Sequence, residues 1–343
     1  MPVAIDVETI GKFSRLAKKA TVLDALPPRL NENKNLYGTL SEELDLTLGS
    51  EEYKESSSTE NDLDPLLDYI LKTSKGGVAL KESIDAEFIT TPRILNALAR
   101  SVYNNGNPLE IYASRQQDVI FLCEKEKNSE ENSSISYLHK FKQYMTLDEN
   151  QNPHKIHDKI QNKSTNVVNK LTLTSGNSGN FSLKVVYSSK VDAVDRDGNL
   201  LELKTTALGH NKWVEKQSLR HYLQAFLANV PYVIYGRRTN IQEQNIHKAR
   251  AINTTRFLQP RSTEVEESCV DTIPTSSIPN YRVNWKKETC FEKLFNILQK
   301  IESKLEFDED VMVVKVTKDG MECEENGEEC YELVNPLFLN HFE

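Results

Sequence analysis

One short stretch, residues 185–205, constrains the fold of this chain more than any other. Residues 185–194 are rich in β-branched side chains, residues 197–199 read Asp-Gly-Asn, and residues 200–205 alternate apolar with polar side chains. Two alternating runs around an Asp-Gly cluster are typical of a β-hairpin. The stretch therefore predicts two antiparallel strands that carry charged residues on both sides of a tight turn.

The length of the hairpin loop decides which charged residues meet. A three-residue loop at 196–198, with its glycine left-handed, places Asp192 opposite Glu202 and Lys190 opposite Lys204. A two-residue Asp-Gly turn would place these pairs on opposite faces. The sequence agrees with both registers, and only the first brings the carboxylates together.

An Asp on one strand and a Glu-x-Lys on the next is typical of a metal-dependent site that cleaves phosphodiesters. In such a site two carboxylates, here Asp192 and Glu202, hold a divalent cation, and a lysine, here Lys204, orients water or steadies phosphate charge. The alternative is a solvated hairpin edge, where the same residue types are common. The motif by itself gives a hypothesis only.

Composition sets limits on both fold and partners. The 343 residues fit one large α/β domain or two smaller ones. The net charge of −9 means that nucleic-acid binding would need a local basic cleft. Five scattered cysteines without a CxxC pair favour a reduced nuclear or cytosolic compartment. The N-terminus lacks a signal-peptide core and no apolar run is long enough to span a membrane, so we expect no membrane association.

Periodicity predicts the remaining elements, and neither an internal repeat nor a break in composition divides the chain. We therefore expect a single domain over residues 1–343. In the helix expected over 216–229, Gln224 lies off the apolar stripe, which suits a polar group in a site as well as one in solvent. The other predicted helices cover 64–72, a segment beginning at Pro92, 137–145 and 286–305, and the predicted strands cover 109–113, 119–123, 232–235 and 311–316. Residues 1–40 are expected to be extended and loop-rich, and the expected loops are 41–63, 125–134, 146–180, 258–280 and 318–330.

The order of these pieces resembles the DXO-type decapping exoribonuclease family, over most of the chain. The segment 223–231 (Leu-Gln-Ala-Phe-Leu-Ala-Asn-Val-Pro) followed by Gly236-Arg237 is the most specific part. The other segments that carry the resemblance are 10–14, 26–28, 88–90, Ser114-Arg115, 137–145, Val191-Asp192-Ala193, 202–205 and Asn284-Trp285.

The resemblance implies a fold, a cofactor and an activity. The family has a mixed α/β (α+β) fold, a single domain with two central mixed β-sheets flanked by helices around a restriction-type, PD-(D/E)xK-like nuclease core. Members bind Mg or Mn and remove defective caps, other 5′-end groups or nucleotides from RNA. The matching site residues here are Asp192, Glu202, Lys204, Gln224 and Arg115.

Two family carboxylates are lysines in this sequence. The family pattern Gly-x-x-x-Glu falls on 138–142 and ends in Lys142, and the pattern Glu-x-Asp falls on 190–192 and begins with Lys190. The family site has four carboxylates and one lysine, whereas this chain has two carboxylates, Asp192 and Glu202, against three lysines. Two ammonium groups beside the cation position would repel a divalent ion strongly. The same two lysines, Lys142 and Lys190, are expected to neutralise Asp192 and Glu202 instead.

We therefore interpret the chain as a catalytically inactive, divergent family member, a pseudo-nuclease without a metal. Any metal would have only Asp192 and Glu202 as ligands. The cations expected to bind RNA 5′ ends are Arg115, Lys142, Lys190 and Lys204. The expected role is nuclear, with an exoribonuclease or a chromatin-bound complex as partner.

Two alternatives stay open. Asp195 or Glu124 could replace a missing carboxylate and keep the chain an active RNA decapping hydrolase. A pure protein scaffold would need no occupied pocket.

Overall fold

The computed structural model describes residues 3–15, 21–37, 44–46, 63–124, 134–155, 157–158, 160, 164–176, 181–241, 246–250, 270–325 and 333–342. Within these residues the chain forms two mixed β-sheets with helices packed on them, as predicted. None of the helices in these ranges is long and apolar enough to span a bilayer.

The strands and helices have the following bounds. The strands are β1 (Val3–Arg15), β2 (Thr21–Leu23), β3 (Leu44–Asp45), β4 (Phe88–Ile89), β5 (Leu109–Gln116), β6 (Val119–Glu124), β7 (Ser164–Ser175), β8 (Ser182–Val191), β9 (Ala193–Val194), β10 (Leu200–Thr206), β11 (Tyr232–Ile241), β12 (Ile246–Arg250), β13 (Val270–Pro274), β14 (Val311–Val316) and β15 (Met321–Glu325). The helices are α1 (Asp64–Thr73), α2 (Leu80–Ile84), α3 (Pro92–Arg100), α4 (Ser134–Tyr144), α5 (His210–Lys216), α6 (Ser218–Leu227), α7 (Lys287–Glu302) and α8 (Pro336–Leu339), with 3-10 turns at Lys34–Leu36, Ser101–Tyr103 and Thr275–Asn280.

The described strands divide into a nine-stranded and a six-stranded sheet. The larger has the order β15-β14-β5-β6-β4-β8-β7-β1-β2, in which β4 runs parallel to both β6 and β8. The smaller has the order β3-β12-β11-β10-β9, and β13 also pairs with β11. Strands β10 and β11 are parallel, so their carboxyl ends meet at one edge of that sheet.

Several predicted elements are confirmed. Strand β14 has the predicted bounds, and β5 and β6 pair as expected. Helix α3 begins at Pro92, and its N-terminus is capped by the Thr91 hydroxyl, which accepts a hydrogen bond from the Ile94 N–H at 3.3 Å. Proline at the first helical position and threonine at the cap are a standard helix start.

Other predictions were wrong because strands were mistaken for loops. The expected loop 146–180 contains β7, whose Asn166 and Asn169 are buried polar residues that made the segment look solvated. The loop-rich 1–40 segment begins with the 13-residue strand β1, in which exposure alternates from Val3 to Ile10. Loop 258–280 contains β13 and a 3-10 turn, and loop 318–330 contains β15. The helix predicted over 216–229 is confirmed as α6, whereas α5, which precedes it, was not predicted.

Two expected loops lie largely outside the described residues. Of 41–63, the structure describes 44–46, which includes the short β3, and Leu63. Of 125–134, it describes only Ser134, where α4 begins.

Among the described residues the core consists of three clusters, and the sheets meet at the largest of them. That cluster lies between the nine-stranded sheet and helices α3, α6 and α7, and it includes Tyr187, Leu223 and Val233. A second cluster covers the other face of the same sheet under α1, α2 and α8. The third places Phe141 of α4 against Leu203 and Ile234 of the six-stranded sheet.

A close approach of α4 to the smaller sheet explains one glycine. A Cβ atom at Gly236 would lie 2.6 Å from the Phe141 ring, far inside van der Waals contact. Helix α4 is therefore held directly over the sheet, and it carries Lys142 to the edge formed by β9.

Candidate functional site

The turn between β9 and β10 has the three-residue loop that the first register requires. Asp195 N–H donates to the Asn199 carbonyl at 3.0 Å, and Gly198 has a φ of +86°. The Asp195 Oδ1 atom accepts the Asn199 N–H at 2.8 Å, so this carboxylate stabilises the turn. The predicted loop and its left-handed glycine are confirmed.

The same register sets Asp192 opposite Glu202. Ala193 is paired with Leu201, and the Asp192 N–H donates to the Leu201 carbonyl at 3.1 Å. Counted on by one residue, this register sets Asp192 level with Glu202, and the Asp192 carboxylate accepts the N–H of the next residue, Leu203, at 2.8 Å.

Asp192 also lies at the point where the chain passes from one sheet to the other. Strand β8 of the larger sheet ends one residue before it, and β9 of the smaller sheet begins one residue after it. Lys190 is consequently in register with Asn166 of β7, whereas the hairpin was expected to set it opposite Lys204.

An ion pair joins Lys142 to Asp192. The Lys142 Nζ atom lies 2.6 Å from Asp192 Oδ1, and the side chains are 28% and 10% exposed. The second oxygen of Asp192 accepts the Leu203 N–H at 2.8 Å. Both oxygens of this carboxylate are thus engaged by donors from the protein itself.

A second ion pair neutralises Glu202. Lys204 Nζ lies 2.5 Å from Glu202 Oε1 and donates to Gln224 Oε1 at 3.1 Å. The other carboxylate oxygen, Oε2, is buried and has no hydrogen-bond partner among the described residues. Gln224 therefore does point into the site, where it orients the Lys204 ammonium.

Lys190 is exposed, and with Lys142 it shapes the surroundings of His139. Burial lowers the pKa of His139 to about 4, and the Lys142 and Lys190 ammonium groups lower it further against the opposing effect of Asp192. His139 precedes Lys142 by three residues in α4, so both project from the same side of the helix. That spacing was the available signal for this site residue, which the sequence analysis did not single out.

A second histidine behind Lys204 was also missed. Trp213 Nε1–H donates to His221 Nδ1 at 3.0 Å, and the Tyr235 hydroxyl lies 2.9 Å from the same nitrogen. Because an indole N–H only donates, Nδ1 is unprotonated and the neutral ring carries its proton on Nε2. Burial, helped by Lys204, lowers the pKa of His221 to about 3.

The two histidines predict acid sensitivity. Both have folded-state pKa values below the usual value of about 6.5, so the unfolded chain binds more protons as pH falls below 6.5. The contribution of the two neutral histidines to the free energy of unfolding is fully present above pH 6.5 and is lost as the pH falls towards 4 and below. His221 alone contributes a slope of up to about 1.4 kcal/mol per pH unit. Urea unfolding from pH 7.5 to 4.5 measures this, and His221→Gln should flatten the curve; parallel curves would contradict the assignment.

Arg115 is not brought into this cluster. Its Nε–H donates to the Leu305 carbonyl at 2.7 Å. Arg115 pairs with Ile120 of β6, Ile120 with Phe88 of β4, and Phe88 with Val185 of β8. Lys190 lies five residues further along β8. At about 3.3 Å per strand residue this is a separation of about 17 Å along the strand direction alone.

The two carboxylates considered as replacements are engaged elsewhere. Asp195 stabilises the turn, and Glu124 Oε2 forms an ion pair with Arg93 Nη2 at 2.8 Å. The described residues contain no group of three His, Cys, Asp or Glu side chains placed to hold a metal ion. Hard cations such as Mg²⁺ and Mn²⁺ prefer several oxygen ligands, so the residues present do not fit such an ion.

The two mixed sheets, with Asp192 at the crossing and Glu202-x-Lys204 on the adjoining strand, define a restriction-type nuclease fold. The family model described as "RAI1 like PD-(D/E)XK nuclease" matches residues 6–335, and the chain belongs to this family.

Known proteins agree with this assignment. The chain is 28% identical over 289 residues to the decapping nuclease dom-3 of Caenorhabditis elegans, covering 79% of this chain and 67% of that protein. Its fold is similar to Scheffersomyces stipitis Rai1 in complex with (3'-NADP)+ and calcium ion, with TM-score 0.71, 16% identity and coverage of 98% and 95% of the two chains. Candida albicans Rai1 in complex with pU5-Mn2+ gives TM-score 0.70, 16% identity and coverage of 99% and 95%. At this identity the solved structures show the fold alone.

Proposed function

We propose that this chain is a non-catalytic member of the RAI1-like family that binds and shields RNA 5′ ends. The observation that carries the proposal is the 2.6 Å contact between Lys142 Nζ and Asp192 Oδ1. The Lys142 ammonium neutralises one of only two retained carboxylates, as a bound divalent cation would. A site of this kind does not favour cleavage by a metal-activated water molecule.

The same cations favour an anionic ligand. Lys142 and Lys204 pair with the two carboxylates, and the exposed Lys190 adds a third positive charge near His139, in a protein of net charge −9. Phosphate oxygens accept short charge-assisted hydrogen bonds from ammonium groups. The Candida albicans relative was solved with pU5, which makes a 5′-phosphorylated RNA the natural first ligand to test.

The biological role that follows is protection of transcripts. A protein that occupies RNA 5′ ends without cutting them would protect them from decapping and termination. We propose a nuclear scaffold, with an RNA 5′-to-3′ exoribonuclease or a chromatin-bound complex as protein partner. The protected RNAs would include precursors of small RNAs such as those of the piRNA pathway.

A nuclease and decapping assay tests the proposal. Purified protein is incubated with 5′-monophosphate, triphosphate and unmethylated-cap RNAs in Mg²⁺ and in Mn²⁺, with binding recorded on the same samples. We expect binding without product. Metal-dependent product that disappears in Asp192→Ala would establish instead an active RNA decapping hydrolase. If the protein gives no product and binds no RNA, the remaining function is that of a pure protein scaffold.

Substitution of Lys190 predicts how the 5′ end is held. Lys190→Ala is expected to weaken binding of 5′-phosphorylated RNA about tenfold, since a charge-assisted hydrogen bond contributes about 1.5 kcal/mol or more. With three lysines at the phosphate, log K should fall against log salt concentration with a slope of about −2. Fluorescence anisotropy at several salt concentrations measures both quantities.

Two controls accompany this measurement. Lys184 lies at the opposite end of the same strand and forms an ion pair with Asp85. The Lys184→Ala substitution should therefore not change the affinity for RNA. Arg115→Ala should also leave affinity unchanged, since its guanidinium donates to Leu305. Equal losses in Lys190→Ala and Lys184→Ala would mean that binding is not localised at the site.

A further inference from the structure

One edge of the nine-stranded sheet is open among the described residues. Strand β1 pairs with β7 on one side from Val3 to Arg15, whereas on its other side β2 covers only residues 13–15. The N–H and C=O groups of residues 3–9 that point away from β7 form no backbone hydrogen bond with any described residue. Such an edge is a template for a further strand.

A bulge marks where the open edge ends. The register between β1 and β7 shifts between Thr9 and Gly11, so Ile10 is an extra residue in β1. Bulges of this kind interrupt pairing and twist the strand. Beyond the bulge, β2 occupies the edge. The regular, open part of the strand is therefore residues 3–9, which can pair with an extended segment of similar length.

The two faces of residues 3–9 differ in polarity. Val3, Ile5 and Val7 are half-buried and pack against the largest core cluster, which includes residues of α7. Asp6 and Glu8 are exposed on the opposite face. Because side chains alternate between the faces of a sheet, a strand added at this edge would extend an apolar face on one side and an acidic face on the other.

The carboxylates on the acidic face have no cation of their own. Neither Asp6 nor Glu8 forms an ion pair or a hydrogen bond with a described residue. Thr172 of β7 lies opposite Asp6, and Lys170, opposite Glu8, forms an ion pair with Asp85 at 3.1 Å. Opposite charges on neighbouring strands attract, and like charges directly opposite one another destabilise the pairing. The edge therefore favours a strand with basic side chains beside Asp6 and Glu8.

The same charges disfavour a second copy of this chain at the edge. Two β1 strands related by a two-fold axis would pair antiparallel, with the same surface on both sides of the contact. The register that uses all of residues 3–9 is centred at Asp6 and sets the two Asp6 carboxylates opposite each other. A register centred at Val7 sets Asp6 opposite Glu8. Both registers bring like charges together, which destabilises the pairing.

We propose that residues 3–9 of β1 bind an extended segment of a protein partner in which apolar residues alternate with lysine or arginine. The backbone of the segment pairs with the open N–H and C=O groups. Its apolar side chains continue the row formed by Val3, Ile5 and Val7, and its cations lie beside the two carboxylates of the opposite face. In strand addition of this kind, main-chain hydrogen bonds give the affinity and alternate side chains give the specificity.

This edge is separate from the candidate site. Ile5 is in register with Leu173 of β7, and Leu173 with Leu183 of β8. Leu183 precedes Val191, the last residue of β8, by eight residues, which corresponds to about 26 Å along the strand. A partner at β1 therefore leaves the lysines of the site accessible, and the inference does not depend on the proposed function.

A titration with a labelled peptide tests the pairing. The peptide Thr-Lys-Val-Arg-Val-Lys-Thr, with blocked ends, is expected to bind and to slow amide hydrogen exchange in residues 3–9. Asp6→Asn/Glu8→Gln should weaken the binding about tenfold, because two cross-strand charge pairs are lost. Glu306→Gln/Asp319→Asn is the matched control, since it removes two exposed carboxylates elsewhere, and it should bind the peptide as wild type does.

Backbone N-methylation separates strand addition from simple attraction between a basic peptide and an acidic protein. Two versions of the peptide carry N-methyl groups on alternate residues, one version on the three cationic residues and the other on the remaining ones. Each version blocks one edge of the peptide strand, because successive N–H groups of a strand point to opposite sides. One version should therefore lose binding and the other should keep it.

Several results would overturn the proposal. These are no binding of the parent peptide, equal binding of both N-methylated versions, and an equal loss of affinity in Asp6→Asn/Glu8→Gln and in the matched control. Self-association of the protein alone, with protection of the amides of residues 3–9, would assign the edge to a second copy instead. Lys190→Ala should leave peptide binding unchanged, so the proposed function and this inference are tested separately.

Discussion

The double substitution Lys142→Glu/Lys190→Glu is expected to create a divalent-metal site, since we propose that the wild-type protein binds no metal ion. It removes two ammonium groups and adds two carboxylates next to Asp192 and Glu202. Two unit charges about 4 Å apart interact by roughly 4 kcal/mol at an effective dielectric constant of 20. The gain in Mn²⁺ affinity should therefore exceed about 100-fold, even when most of this interaction is lost to solvent screening.

Calorimetric titration with Mn²⁺ measures the gain. Lys216→Glu/Lys287→Glu makes the same change in net charge at two exposed lysines away from the site, and it should bind no more Mn²⁺ than wild type. A folded Lys142→Glu/Lys190→Glu protein that still fails to bind Mn²⁺ would show that the two lysines do not explain the proposed lack of metal binding. Glu202→Gln added to the double substitution should reduce the new affinity.

Substitution of the buried Asn169 is expected to have the largest effect on stability. Its amide nitrogen donates to the Leu227 carbonyl at 2.9 Å, and its oxygen accepts the Thr9 hydroxyl at 2.8 Å. The Leu227 carbonyl also accepts the Tyr187 hydroxyl at 2.9 Å. Strands β7 and β8 thereby bind the end of α6, the helix that carries Gln224. Asn169→Leu should lower the free energy of unfolding by about 3 kcal/mol through lost buried hydrogen bonds and overpacking.

Tyr187→Phe provides the comparison. It removes one hydroxyl and leaves the Leu227 carbonyl with the Asn169 donor, so the expected loss is about 1 kcal/mol. Urea unfolding of both variants measures the difference. A loss in Asn169→Leu no greater than that in Tyr187→Phe would mean that Asn169 is not the main link between the sheet and α6.

Local patterns predicted the hairpin well. The Asp-Gly-Asn turn, the left-handed Gly198 and the pairing of Asp192 with Glu202 all follow from loop length and strand period, which act over a few residues. The identity of the ion-pair partners was only half predicted. Lys142 does neutralise Asp192, but Glu202 is neutralised by the family lysine, Lys204, and Lys190 stays exposed.

The sequence did not predict how segments distant along the chain are placed relative to one another. Strand period does not tell which sheet a strand joins, so the passage of the chain between sheets at Asp192 was not foreseen. Arg115 matched a family position, yet its location depends on the register of three neighbouring strands. His221 became part of the site because Trp213 and Tyr235 surround it, and no spacing in the sequence signals that contact.

The ion pair between Lys142 and Asp192 also bears on how this site could change in evolution. A single Lys142→Glu substitution would place a new carboxylate beside Asp192 and remove the donor that now satisfies it, while Lys190 still repels a cation. The first step back towards a metal site would therefore cost stability and add no metal affinity. Lys142→Glu would increase metal affinity only after Lys190 had also been replaced by glutamate. The two positions are therefore coupled, because neither single Lys→Glu substitution would by itself make a metal site.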